Sequence, residues 1–284
     1  MKHTVYSICS GFIAATVISL SILSGTAYSH VGADWDEATG SAQWSARRFF
    51  PAVTYDNKMW IMGGYVDSGW LNDVWWSTDG VNWTEATGSA PWSARSCFPA
   101  VVYDDRMWIM GGYDDSGWLN DVWWSTDGVN WPEATGAAAW SARNNFPAVV
   151  YDGKMWIIGG WYSSNVYKDV WWSTDGVNWT EATSDIPAGG RSSFPAVVYD
   201  NRMWIMGGYK YPNFYNDVWW STDGANWTEA TGSAAWSARQ YFPTVVYDDR
   251  MWIMGGDDGS YNNDVWWSTD GICWTEATDS APWS

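Results

Sequence analysis

RSCFPAVVYDDRMWIMGGYDDSGWLNDVWWSTDGVNW, residues 95–131, decides the fold, because the chain writes nearly the same passage five times. The copies begin at Arg47, Arg95, Arg143, Arg191 and Arg239, 48 residues apart at every step. A fixed period of that size belongs to radial or stacked repeats, so residues 30–284 read as one repeat domain with modules starting near 44, 92, 140, 188 and 236.

Turn residues divide the module into four short segments. Phe98-Pro-Ala-Val-Val-Tyr103 is apolar and β-branched, with Pro99 at a strand start, where a missing N–H does least harm. Asp104-Asp105 is two-residue hairpin chemistry that tolerates positive φ. Arg106 to Met110 forms a second strand ended by Gly111-Gly112, Asn120 to Ser125 a third, Asp127-Gly128 a turn, and Asn130-Trp131 opens a fourth. No 3.6-residue apolar period survives between these turns, so helices are not expected. Met-Trp-Ile-Met and Val-Trp-Trp point apolar side chains to both sheet faces, and such a sheet needs a neighbour on each side. Blades set around an axis supply those neighbours. The expected class is all-β: a β-propeller of four-stranded antiparallel blades, five repeats of about 48 residues. The 29 Trp, 16 Tyr and 8 Phe must fill that core or pave its surface.

Residues 1–29 depart from the pattern. Lys2 and His3 precede an apolar run from Gly11 to Leu23 that is short for a membrane span, and Ala27 and Ser29 are placed as at a cleavage site. The expectation is a cleaved signal peptide and a secreted, extracellular or periplasmic protein; the alternative is an uncleaved anchor. Formal charge is −18, one unit more negative without Lys2. Such acidity repels phosphates and anionic headgroups, so neither nucleic acid nor membrane is an expected partner of the mature chain. Outside the leader, Cys97 and Cys273 hold different positions of distant modules, and no disulfide framework is expected.

These residues resemble a kelch-repeat propeller: an Arg ahead of the first strand, an apolar strand running into Gly-Gly (63-64, 111-112, 159-160, 207-208, 255-256), an aromatic third strand, and a spaced Trp (83, 131, 179, 227, 274). Ser77-Thr-Asp-Gly-Val-Asn-Trp83 is similar to the Asp-box of sialidase-type propellers, one residue shorter. Kelch propellers commonly close with six or seven blades. This chain offers five modules plus Trp35-Asp-Glu-Ala38, a spare outer strand expected over residues 34–39. A six-position ring lacking most of one blade, an open arc and a truncated reading frame stay open beside a five-blade ring.

The resemblance to kelch enzymes of the galactose-oxidase type implies a copper site with His and Tyr ligands, which a mature chain with His30 alone does not supply. The same shortage removes Ser-His-Asp and Cys-His triads and a Cys/His zinc site. Most carboxylates recur in every module: Asp73, Asp121, Asp169, Asp217 and Asp264, the turn Asp, and the Glu after Trp-Thr or Trp-Pro. Repetition around a ring points to blade building, and catalysis needs an asymmetric set that is not found; no catalytic residue, metal or cofactor is expected. Arg47, Arg95, Arg143, Arg191 and Arg239 are either partners of the repeated Asp or an anion-binding ring at a channel. On the second reading the chain resembles a sialic-acid isomerase or a sialidase-like enzyme acting on acidic sugars.

Function is expected where the copies disagree. The residues after each Arg vary, as do the loops after Gly-Gly, which carry Trp70, Trp118, Trp161, Tyr162, Tyr211, Phe214 and Tyr261, while Tyr241 follows Arg239. Loops on a rigid scaffold are where binding concentrates, and this palette suits a glycan or a protein. The sequence therefore predicts a non-catalytic binding module. Paired acids at Asp114-Asp115 and Asp257-Asp258 lack the spacing of a calcium loop. Asn82, Asn178 and Asn226 begin Asn-Trp-Thr sequons whose recurrence suggests a structural origin.

Overall fold

A computed structural model describes residue 32 and residues 34–283; the leader, His30 and its cleavage site lie outside the described residues. Blade 1 is β1 (Ala52–Tyr55), β2 (Lys58–Val66), β3 (Gly69–Ser77) and β4 (Thr84–Thr87), hydrogen-bonded in that order. Blade 2 repeats it with β5 (Ala100–Tyr103), β6 (Arg106–Asp114), β7 (Gly117–Ser125) and β8 (Glu133–Thr135). Blade 3 has β9 (Ala148–Tyr151), β10 (Lys154–Ile158), β13 (Val170–Ser173) and β14 (Thr180–Thr183), with β11 (Trp161–Tyr162) and β12 (Asn165–Val166) as a separate hairpin tip. Blade 4 is β15 (Ala196–Tyr199), β16 (Arg202–Lys210), β17 (Asn213–Ser221) and β18 (Thr228–Thr231). Blade 5 is β19 (Thr244–Tyr247), β20 (Arg250–Asp257), β21 (Tyr261–Ser268) and β22 (Thr275–Thr278). Among the described residues the protein is thus an all-β, five-bladed propeller of antiparallel sheets without helices.

Strand alternation explains the radial packing. Along β6, Met107 and Ile109 pack with Trp60 and Met62 of blade 1, whereas Trp108 and Met110 pack with Phe146, Met155 and Ile157 of blade 3. One strand therefore contributes to two cores, which is why it is apolar on both faces. The first hairpin turns carry positive φ at both central residues, as at Asp56 (50°) and Asn57 (55°), the geometry matching the twist of paired strands.

Two expectations about boundaries are corrected. Gly63-Gly64 does not end the second strand: it lies inside β2 as a bulge, with φ of 55° and 102°, and the hairpin continues to Val66. A Cβ at Gly63 would stand 2.9 Å from the Leu71 carbonyl and 3.0 Å from that of Arg95, so the glycine permits close approach of the next blade. Residues 34–39 form no strand. Trp35 instead packs edge-on against Trp283, ring centroids 4.6 Å apart, on the flank of blade 5.

The turn Asp residues hold the blade rim, as their repetition suggested. Asp79 Oδ1 accepts from the N–H groups of Val81 and Asn82, each at 2.8 Å, and Ser77 Oγ accepts from Gly80 N–H at 2.8 Å. Asn82, Asn178 and Asn226 donate Nδ2 to this Asp at 2.8 Å, and so does Asn130, whose Asn-Trp-Pro sequence is no sequon. The Asn serves the turn in all four.

Candidate functional site

Each repeated Arg lies beneath the Gly-Gly bulge of its own blade. Arg95 Nη1 donates to Asp121 Oδ1 at 2.6 Å and to the Gly111 carbonyl at 3.0 Å. Its Nη2 donates to Asp121 Oδ2 at 2.7 Å and to Ser93 Oγ at 3.0 Å, and Nε to the Ser93 carbonyl at 3.0 Å. All five N–H donors are spent. Arg47, Arg143, Arg191 and Arg239 meet Asp73, Asp169, Asp217 and Asp264 with the same two-toothed geometry, and none of the five is more than 5% exposed. The guanidiniums therefore offer no open cradle to an incoming carboxylate, and the anion-ring expectation gives way to its alternative. A second tooth explains the repeated Asp: Trp123 Nε1 donates to Asp121 Oδ2 at 2.7 Å, fixing the third-strand Trp.

Two residues after each Arg the chain turns inward to the axis. Phe49, Cys97, Asn145, Ser193 and Tyr241 all adopt positive φ, between 52° and 61°. Their backbones link blade to blade: Cys97 N–H donates to Phe49 O, Asn145 to Cys97 O, Ser193 to Asn145 O and Tyr241 to Ser193 O, at 2.9–3.0 Å. Below them the prolines at 51, 99, 147, 195 and 243 surround an axial cavity of about 60 Å³. Ligand pockets for small molecules run to roughly 300–1,000 Å³, so this cavity suits a few waters rather than a sugar. Asn145 Oδ1 and Thr244 Oγ1 face no protein partner and are natural seats for such water.

The variable loops are the tips of the second hairpins, and one residue after each Arg bridges to them: Arg48 to Tyr65, Ser96 to Tyr113, Asn144 to Trp161, Ser192 to Tyr209, Gln240 to Asp257. Over blades 1 to 3 their side chains join into an aromatic arc. Tyr65 meets Trp70 at 5.4 Å between ring centroids, Trp70 meets Tyr113 at 5.9 Å, and Tyr113 meets Trp118 at 5.1 Å. Trp118 then meets Trp161 at 5.9 Å and Tyr162 at 4.8 Å. These are edge-on or tilted pairs, the arrangement favoured by ring quadrupoles, and they hold the loops with little freedom left to lose on binding. Trp161 and Tyr162 are 37% and 41% exposed at the end of the arc. Beside them, Trp118 Nε1 and the buried Asn144 Oδ1 have no partner within the protein. Orphaned Nε1 groups also recur at Trp44, Trp92, Trp140 and Trp236, where repetition marks them as part of blade architecture; those of Trp118 and Asn144 sit at variable positions.

The Kelch motif family matches residues 46–76, 94–124 and 142–172, each running from beside the paired Arg to the third strand. Three of the five modules thus carry a matched kelch motif. A search of curated proteins finds no match. Kelch propellers are typically interaction modules, and protein partners are common among them.

Of the loop aromatics singled out from sequence, the propeller brings Trp70, Trp118, Trp161 and Tyr162 together. Phe214 packs on Tyr209 at 5.0 Å over blade 4, and Tyr211 stands 84% exposed at that hairpin's tip. Tyr261 is 72% exposed on blade 5. Tyr241 is axial and meets Phe49 at 5.6 Å. Tyr65 and Tyr113, which open the same variable loops, join the arc without being among the expected binding residues. Paired acids in these loops shape the hairpins: Asp114 Oδ1 accepts from Ser116 N–H and Oγ at 2.8 and 2.6 Å. Burial raises the Asp114 carboxyl, but hydrogen bonds from Ser116 and Ser93 and the charge of Arg95 outweigh it and hold it below its usual range. Among the described residues no group of three His, Cys, Asp or Glu stands together as metal ligands would.

Proposed function

We propose that this kelch propeller is an exported binding module that takes a neutral glycan along the aromatic arc of blades 1 to 3. The continuous run Tyr65, Trp70, Tyr113, Trp118, Trp161, Tyr162 carries the reading. Aromatic faces stack on the apolar faces of sugar rings, and Trp161 and Tyr162 at the end of the arc are exposed enough to offer theirs. Charge supports neutrality: the chain carries −18 and its buried Arg residues are already paired, so nothing favours an acidic sugar. Export rests on the charged start, apolar run and small residues of 1–29, and N-terminal sequencing of secreted protein would place the cut near residue 29.

A glycan array followed by titration calorimetry tests the ligand. Binding to neutral oligosaccharides, lost in Trp118→Ala and Tyr162→Ala but kept in Tyr211→Ala, is the expected result. A pull-down that returns a protein held through the same aromatics, with an empty array, would replace the glycan by a protein partner on the same face.

A further inference from the structure

Asp-Gly occurs seven times in the chain, at 79-80, 127-128, 152-153, 175-176, 223-224, 258-259 and 270-271. It is the dipeptide in which an aspartyl side chain closes most readily on the next amide, because glycine puts no side chain in the way. Five of the seven are the rim turns between third and fourth strands, and Asp258-Gly259 lies at the tip of the second hairpin of blade 5. Asp152-Gly153 alone forms a first-hairpin turn, between β9 and β10, where the other blades carry Asp56-Asn57, Asp104-Asp105, Asp200-Asn201 and Asp248-Asp249.

Ring closure needs a free amide nitrogen and a carboxyl able to take a proton and lose an oxygen as water. Six pairs are denied both. Gly80, Gly128, Gly176, Gly224 and Gly271 N–H each donate to the Ser Oγ three residues back at 2.8–2.9 Å, and Gly259 N–H donates to Asp257 Oδ1 at 2.9 Å. Donors hold the six carboxylates ionised. Asp79 is lowered chiefly by the Asn82 N–H; in Asp127, Asp175, Asp223, Asp258 and Asp270 burial raises the carboxyl, but hydrogen bonds outweigh it. Four rim glycines are also pressed on the preceding blade, where a Cβ on Gly128, Gly176, Gly224 or Gly271 would fall 2.2–2.3 Å from Trp60, Trp108, Trp156 or Trp204. Those turns have no room to reshape.

Asp152-Gly153 carries none of these restraints. Gly153 N–H has no hydrogen-bond partner among the described residues, and a Cβ on Gly153 would meet nothing within 4 Å. The Asp152 side chain is 73% exposed, and Lys154 Nζ donates to one of its two oxygens, Oδ2, at 3.2 Å. Both turn residues lie at positive φ, 49° and 66°, at the tip of a two-residue loop. Across the boundary between blades 2 and 3, Tyr103 Oη donates to the Gly153 carbonyl at 2.7 Å. The turn is therefore open to chemistry and is also part of what joins two blades.

We propose that Asp152 is a self-modification site, at which the protein forms an isoaspartyl linkage with water as the only co-reactant. The Gly153 nitrogen attacks Asp152 Cγ; the N–Cγ bond forms, the amide proton and the carboxyl hydroxyl leave together as water, and a five-membered cyclic imide results. Water then opens the ring at either carbonyl. Breaking the bond to Cγ restores aspartate, whereas breaking the bond to the Asp152 main-chain carbonyl carbon leaves the chain running through the side chain. One water is lost and one taken up, nothing is oxidised or reduced, and the backbone gains a methylene. That extra atom displaces the Gly153 carbonyl from Tyr103 Oη and disturbs the Tyr151–Lys154 pair that closes the hairpin, so the change loosens the boundary between blades 2 and 3.

The test warms the full chain at neutral pH and follows it by tryptic mapping, reading isoaspartate as a peptide of unchanged mass and shifted elution that an isoaspartyl methyltransferase accepts. Deamidation of Asn144 or Asn145 in the same tryptic peptide, 144–154, changes its mass and is told apart. Conversion at Asp152 is expected to run about five-fold or more faster than at any other Asp-Gly, since each of those must first give up a hydrogen bond. The converted protein is expected to melt about 2–4 °C lower, the loss of one hydrogen bond in a chain of this size. Gly153→Asn, which places there the residue found at 57 and 201, is expected to fold and to suppress the conversion. Isoaspartate spread evenly over the seven pairs, or a folded chain that keeps Asp152 intact while the free peptide 144–154 converts, would overturn the inference.

Discussion

Arg95→Met separates an arginine that holds a blade from one that awaits a ligand. Arg95 is 1% exposed and the Asp121 side chain 14%. The substitution keeps much of the apolar stem but removes five hydrogen bonds, leaving the Asp121 carboxylate with the Trp123 indole N–H as its described donor. Removing one partner of such a pair costs roughly 3–5 kcal/mol, most of it the desolvation of the charge left behind. At about 2–4 °C per kcal/mol for a chain of this size, the unfolding midpoint falls by roughly 6–20 °C. Calorimetry and tryptophan fluorescence, recorded together, check that a single transition is being read. The double variant Arg95→Met/Asp121→Leu removes the stranded charge and is expected to regain most of the loss. A single variant that melts within about 2 °C of the parent, or a double variant no better than the single, would refute the reasoning. An arginine kept for an anionic ligand would give the reverse pattern, an intact midpoint and lost binding.

Gly128→Ala places a Cβ 2.2 Å from buried Trp60 at φ 73° and is expected to cost more than the roughly 1–2 kcal/mol of left-handed strain alone, whereas Gly117→Ala, with φ 123° and open space, meets no such contact; urea unfolding compares them. The rim carboxylates make the fold acid-sensitive. Burial raises Asp175, but hydrogen bonds from Asn178, Val177 and Ser173 outweigh it and hold the carboxyl at about 2, against 3.8 unperturbed. Asp79 is lowered too, chiefly by the Asn82 backbone N–H. A lowered folded-state value means the unfolded chain takes up protons first, so this stability is complete above about pH 4 and lost as pH falls towards 2. Melting scans over that range are expected to show a shallower decline for Asp175→Asn than for the parent. Cys97 and Cys273 form no disulfide, so a reducing agent is expected to leave the midpoint unchanged.

The blade was legible because its rules are local and repeated five times: Asp56-Asn57 demands a tight hairpin, and Met-Trp-Ile-Met demands two apolar neighbours. The pairing of Arg95 with Asp121 was open on sequence, since 26 residues separate them and only folding of the hairpin brings them together. Gly63-Gly64 misled because glycine marks both strand ends and bulges, and the choice depends on how near the next blade comes. Variation singled out Trp118, Trp161 and Tyr162, but could not show that Trp70 reaches Tyr113 across a blade boundary while Tyr211 stands apart. The spare Trp35 was visible as a motif; its place depended on which Trp it would face.

The axial residues have a further consequence. The four blade-to-blade links use backbone N–H and C=O, so these fastenings do not depend on which side chain stands at 49, 97, 145, 193 or 241. Phenylalanine, cysteine, asparagine, serine and tyrosine all occupy the position, and each accepts positive φ there. The protein has in effect an iris whose blades are fixed and whose aperture is set by five exchangeable side chains, so bore and polarity of the central opening can be altered one residue at a time while the fastening stays the same.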